Sequence, residues 1–122
     1  MTKGNGEAKK RVLLVDDEPQ ILRLRADILQ RQGHEVETAC SLEQARAVWR
    51  RGTYSLIIVD LRQQPKEALV FCEELKREDP DQLVAFLTAP MIYVPRNACP
   101  DDVIPKEDGP QEFVERVQAL LA

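Results

Sequence analysis

The stretch Val12-Leu13-Leu14-Val15-Asp16-Asp17-Glu18-Pro19 decides the fold. Four aliphatic residues in a row do not alternate inward and outward, so they fit a strand buried on both faces, as in a parallel sheet covered by helices. Three acids and a proline halt the run, and from Pro19 the period changes. Ile21, Leu24, Arg25 and Ile28 share one helical face, with Leu22 and Leu29 beside them. Pro19 suits a first helical turn, where its missing N–H costs nothing, and Gly33 stands where that helix should stop.

The same alternation continues outward. A short strand over Glu35 to Ala39 precedes Ser41, which caps a second helix with Gln44 as its capping-box partner. That helix is expected to reach about Arg51 and to be closed by Gly52. Leu56-Ile57-Ile58-Val59 repeats the doubly buried pattern and again ends in an acid, Asp60. Lys66 to Glu78 carries Leu69, Val70, Cys72, Glu73 and Leu75 at helical spacing, and Asp79-Pro80 ends it. Leu83 to Leu87 reads as a fourth strand leading into Thr88-Ala89-Pro90, and Val103-Ile104 as a brief fifth ending at Lys106. The last helix begins near Gly109-Pro110 and presents Phe113, Val114, Val117, Leu120 and Leu121.

Between Met91 and Pro100 the helical period is lost. Pro95 and Pro100 lie in that stretch, and an interior proline removes a helical hydrogen bond and clashes with the preceding turn. A loop or one short turn is expected there. Strand and helix otherwise alternate throughout, which selects an α/β fold with a doubly wound, five-stranded parallel sheet and right-handed crossovers. Residues 1–10 are polar and Gly-containing and read as a flexible N-terminal tail; 11–122 read as a single domain.

Composition narrows the function. A chain of 122 residues, 43% hydrophobic and 31% charged, has the balance of a folded domain. A net charge of -4 argues against direct nucleic-acid binding, because phosphate backbones select basic surfaces. No apolar run approaches the roughly 20 residues of a membrane span, and the first ten residues lack a signal peptide's apolar stretch. Cys40, Cys72 and Cys99 are odd in number, far apart and without a CxxC, which argues against a disulfide framework and a cysteine zinc site. The single histidine, His34, excludes a His-rich metal site. The expectation is a reduced, cytoplasmic protein.

The polar residues fall where chemistry would need them. Asp16 and Asp17 follow the first strand, Asp60 the third, Thr88 the fourth and Lys106 the fifth. Parallel sheets bind ligands beyond their strands' carboxyl ends, so all five should converge. Crowded carboxylates repel one another unless a cation is present, and an all-oxygen set favours a hard ion such as Mg2+. A lysine and a hydroxyl beside that ion complete a site for a phosphoryl group. Any one of these residues alone is more simply a cap or a solvated charge; the five together, in this order, are not.

These segments, with Leu61 after Asp60 and Ala89 after Thr88, resemble the receiver domains of bacterial two-component response regulators, over essentially everything from Arg11 to Ala122. The resemblance implies a flavodoxin-like receiver fold, here with the fourth helix shortened or missing. It implies that Asp60 accepts a phosphoryl group from a histidine kinase's phosphohistidine. Asp17 would bind Mg2+ directly and Asp16 mainly through water, with the backbone carbonyl of Arg62 as a further ligand. Thr88 would be the switch hydroxyl and Lys106 the ion-pair partner of the phosphoryl group. The implied partners are a sensor histidine kinase or phosphotransfer protein, and a downstream protein or fused output domain, with no membrane and room for a weak homodimer. The chain would be no enzyme beyond weak self-catalysed phosphorylation and dephosphorylation.

The departures concern the signalling apparatus. Gln64 stands where the family usually has a proline, Val103 where it has a switch aromatic, and Glu107 rather than a proline follows the lysine. They suggest a second reading, a degenerate receiver that works as a phosphorylation-independent interaction module. A third, an α/β nucleotide or flavin binder, lacks its Gly-rich loop after the first strand, where Asp16-Asp17-Glu18 offers negative charge instead. A two-aspartate phosphohydrolase is disfavoured by Arg62 in the place of its second acid. His34 reads as a solvated loop residue and Trp49 as packing. Arg46, Arg50 and Arg51 read as the wet face of the second helix, and Cys72 as a small core residue.

Overall fold

Neighbouring residues of the central strands part to opposite faces of the sheet, and that division builds two cores. Val12, Leu14, Leu56, Ile58, Ala85 and Leu87 lie in one; Leu13, Val15, Ile57, Val59, Val84 and Phe86 lie in the other. In the computed structural model, which describes residues 10–61, 65–95 and 98–122, the strands are β1 (Arg11–Val15), β2 (Glu35–Ala39), β3 (Leu56–Asp60), β4 (Leu83–Thr88) and β5 (Asp102–Pro105). They pair in parallel in the order β2-β1-β3-β4-β5. This is the doubly wound order whose direction reverses between β1 and β3, leaving a crevice at the carboxyl edge. The described helices are α1 (Pro19–Arg31), α2 (Leu42–Val48), α3 (Pro65–Glu78) and α4 (Gly109–Leu121). Buried residues of α1 and α4 complete the first core, and those of α2 and α3 complete the second.

Local chemistry sets the helix ends. Gly33, at φ +93°, lets α1 finish with the Gly33 N–H on the Gln30 carbonyl and the His34 N–H on the Leu29 carbonyl. This pairing satisfies carbonyls that the helix itself leaves open. At α2 the Ser41 hydroxyl accepts the Gln44 N–H at 3.0 Å, and the Gln44 amide oxygen accepts the Cys40 N–H at 2.7 Å. The capping box therefore forms, with its return bond one residue earlier than the usual pattern.

Several expectations are corrected by tertiary contacts. The buried stripe of α1 is Leu22, Ala26 and Leu29, while Ile21, Leu24, Arg25 and Ile28 face a groove toward α4. On α3, Phe71 is buried and Val70 is half exposed. Helix α2 ends at Val48 instead of near Arg51, because Trp49 turns into extended backbone. Its indole N–H thereby reaches the buried Gln82 side chain at 2.8 Å. His34 is half-buried, not solvated: its Nε2 is buried without a hydrogen-bond partner, and burial holds the imidazole pKa below its ordinary value.

The segment 89–101 forms no helix among its described residues, as its prolines predict. One turn carries the Ile92 N–H to the Ala89 carbonyl at 3.0 Å, and further on the Ala98 N–H donates to the Pro95 carbonyl at 3.1 Å. Ile92, Val94 and Cys99 then lie against the α2/α3 core, covering the face that a helix would cover. Asp101 anchors the return: its N–H donates to the Val84 carbonyl at 2.7 Å, and its carboxylate accepts the Val84 N–H at 2.8 Å and the Lys76 ammonium at 2.6 Å. Cys72 and Cys99, 27 residues apart, form a disulfide with Cα atoms 6.2 Å apart. The expected set of reduced thiols is corrected here. Cys99 is thereby held against α3, and Cys40 alone is free.

Candidate functional site

Strand register gathers the singled-out residues at one edge. Val15 pairs with Val59, so Asp16 and Asp60 extend adjacent strands to the same level. Asp60 pairs with Leu87, placing Thr88 one residue beyond, and Thr88 pairs with Pro105, after which Lys106 opens a 3-10 turn over 106–108. Thr88 is buried as the last residue of β4, and Asp17 sits exposed on the rim of the loop after β1. Arg62 lies outside the described residues.

The acids are held by cations of the chain itself. One carboxylate oxygen of Asp16 accepts the Glu18 N–H at 3.0 Å, which tightens the turn into α1. Its other oxygen accepts from Arg25 Nη1 at 3.0 Å, and the same Nη1 donates to Asp60 Oδ2 at 2.9 Å. Lys106 Nζ lies 3.1 and 3.2 Å from the two oxygens of Asp60. The Asp16 and Asp60 side chains are each only 2% exposed, against 17% for Arg25 and 22% for Lys106. Carboxylates this buried are tolerable only when paired and hydrogen-bonded. The repulsion expected among crowded acids is thus relieved from within.

Sequence reading missed Arg25. The available signal was a permanent cation on a helical face otherwise made of Ile21, Leu24 and Ile28, where a charge is costly unless it reaches a partner. Behind the site, the Asp102 carboxylate takes a two-pronged hold from Arg116 at 2.9 and 2.6 Å, tying α4 to β5. That hydrogen bonding pushes the Arg116 pKa above its ordinary value.

A metal ion would have to use these oxygens. Among the described residues, no three acidic side chains converge on one point. Asp16 and Asp60 do face each other across a single nitrogen, and two such carboxylates are hard donors of the kind Mg2+ takes. This pair of donors, by its chemistry, suits a hard divalent cation.

Residues 12–118 match the family model described as response regulator receiver domain. The chain belongs to this family. This receiver domain is 32% identical over 117 residues to a probable transcriptional regulator, ycf27, of Pyropia yezoensis, covering 93% of the chain and 48% of the relative. It is 31% identical over 115 residues to the transcriptional regulatory protein ResD of Bacillus subtilis, covering 91% and 48%. The receiver thus spans about half the length of these relatives. The response regulator TrrA of Thermotoga maritima, solved in complex with Mg2+ and BeF, superposes with a TM-score of 0.81 at 32% identity, covering 92% of this chain and 99% of that one. The non-phosphorylated HemR receiver domain of Leptospira biflexa, 24% identical, shares the fold at a TM-score of 0.83 over 93% and 95%. Among the described residues no helix is long and apolar enough to cross a membrane.

Proposed function

We propose that this receiver is a phosphoacceptor switch in which Asp60 takes a phosphoryl group from the phosphohistidine of a sensor histidine kinase or phosphotransfer protein. The observation that carries the reading is the buried Asp60 carboxylate with Lys106 against both its oxygens and Thr88 one residue along the neighbouring strand. A carboxylate oxygen is a competent nucleophile toward phosphorus. Its O–P bond forms as the N–P bond to imidazole breaks, and the electron pair stays on the ring nitrogen of an imidazole that leaves neutral, its proton already on the other ring nitrogen. Lys106 stays to neutralise the phosphoryl oxygens, and Thr88 donates a hydrogen bond to one of them. Asp16, Asp17, Asp60 and the Arg62 carbonyl would hold Mg2+, which when bound supplies charge neutralisation at the transferring group. The chain is then a cytoplasmic signalling component, not an enzyme acting on a separate substrate, with residues 11–122 as its receiver unit. Its output passes to a downstream protein or fused domain.

A second reading, a phosphorylation-independent interaction module, draws on the segment 89–101, which has no helix among its described residues, and on Val103, a β-branched side chain with few rotamers. One experiment separates the two. Acetyl phosphate with Mg2+ should add one phosphoryl group by intact mass, and the gain should vanish in chelator and in Asp60→Asn. Equal labelling of Asp60→Asn rejects the first reading, and no labelling of the wild type favours the second.

A further inference from the structure

We infer that Arg25 is a resident counter-cation of the acceptor site, closing Asp16 and Asp60 onto itself in the resting chain and giving way when a divalent cation binds. The inference rests on the reading that this acid set takes Mg2+, and it adds a competitor that belongs to the chain.

The geometry leaves little alternative for the side chain. Arg25 Nη1 lies at 3.0 Å from Asp16 and 2.9 Å from Asp60, bridging two nearly inaccessible carboxylates with one hydrogen-bonding atom. A hard cation between those acids needs the same oxygens, and a guanidinium and a divalent ion a few ångströms apart repel strongly at low dielectric. Both cannot be held in the present arrangement. Lys106 contacts Asp60 from the β5 side and does not bridge to Asp16 in this way, so it can remain while Arg25 leaves.

The structure also offers somewhere to go. A cavity of about 320 Å³ lies between α1 and α4, lined by Arg25 and Lys106 together with Ile21, Ile104 and Phe113. An arginine stem packs well along apolar walls while its head stays wet. Release of Arg25 would therefore move a charge from the acid pair into the α1/α4 groove. Binding of the ion and release of Arg25 become one exchange, and such coupling is reciprocal: what loosens Arg25 tightens the ion by the same factor.

Titration of the whole chain with MgCl2 by calorimetry tests this in wild type and in Arg25→Met, which keeps an unbranched stem of similar reach without the charge. Removing one charged hydrogen-bonding competitor should tighten Mg2+ by roughly tenfold, with Arg25→Lys falling between. A second measurement needs no variant. The Arg25 side-chain Nε–H resonance of the wild type should shift on saturation with Mg2+ and not with NaCl at equal ionic strength. Equal affinities in wild type and Arg25→Met, an Arg25 resonance indifferent to Mg2+, or no Mg2+ binding by either protein overturns the inference. Phosphoryl transfer is not the readout, so the two readings fail separately. Tighter Mg2+ in Arg25→Met without labelling of Asp60 sinks the phosphoacceptor reading alone, and labelling of Asp60 with affinity indifferent to Arg25 sinks this one alone.

Discussion

The acceptor edge and the segment 89–101 meet at Thr88, yet they are held in opposite ways. At the acceptor edge, Asp16, Asp60 and Thr88 sit at strand ends, and strand register brings Asp16 and Asp60 level, with Thr88 one residue beyond, before any side-chain contact is made. Arg25 and Lys106 then close the charges. Residues 89–101 have turns and no helix among those described, and Met91 and Tyr93 are 94% and 82% exposed. Order there depends on a few tethers: the Cys72–Cys99 link, the Asp101 contacts, and the apolar contacts of Ile92 and Val94. Chemistry is placed by secondary structure, which tolerates little change; the connection is placed by individual side chains and is free to diverge.

The largest effect should come from cutting the covalent tether. Closing a loop of 27 residues stabilises by about 3.5 kcal/mol in the chain-entropy account, so Cys99→Ser should lower the thermal midpoint of the oxidised protein by roughly 14 °C. Cys99 is the better site because Cys72 is fully buried in the core. Alkylation of unfolded, unreduced protein should label Cys40 alone. Three labelled thiols would leave only the noncovalent tethers and break this half of the comparison.

Asp101 comes next. Removing its carboxylate strands the N–H of the fully buried Val84 and frees Lys76, so Asp101→Ala should cost about 2 kcal/mol by chemical denaturation. Asp101→Asn keeps an acceptor for Val84 and should cost about half of that. Equal losses in the two variants would assign the anchor to the lysine pair instead.

At the acceptor edge the sign is the test. If crowded acids simply repelled one another, Asp16→Asn would stabilise the metal-free protein. With Arg25 bridging Asp16 and Asp60, the same change should destabilise it by about 1.5 kcal/mol, because a charged hydrogen bond is lost. A rise in the thermal midpoint would mean that the internal cations do not compensate the cluster.

Much of this was legible in the residues. Four-residue aliphatic runs ending in acids announced buried parallel strands and the positions of Asp16 and Asp60, and the prolines announced the missing helix. What escaped depends on partners distant in sequence. Trp49 leaves α2 early because Gln82 waits 33 residues away. The pairing of Cys72 with Cys99 requires knowing that Cys99 comes to lie against α3. Arg25 looked like one member of an amphipathic face, and its role depends on a carboxylate 35 residues further on. Periodicity reports which face is apolar, not what stands opposite it.

The smallest expected effect lies outside both regions. His34 closes α1 at the turn into β2, with Nε2 buried and unpartnered. A protonated imidazole needs partners for two N–H groups, so burial favours the neutral ring and lowers the folded pKa below the ordinary 6.5. The unfolded chain therefore binds the proton first. This contribution to stability is fully present above pH 6.5 and is lost as pH falls through 6.5 toward the folded value. His34→Leu keeps an apolar body at the turn and removes the titration. In denaturant melts stepped downward from pH 7.5, the variant should lose the shallow decline that begins near pH 6.5 while retaining any steeper decline at more acid pH. A decline near pH 6.5 that survives in His34→Leu would show that the imidazole is not the group being titrated.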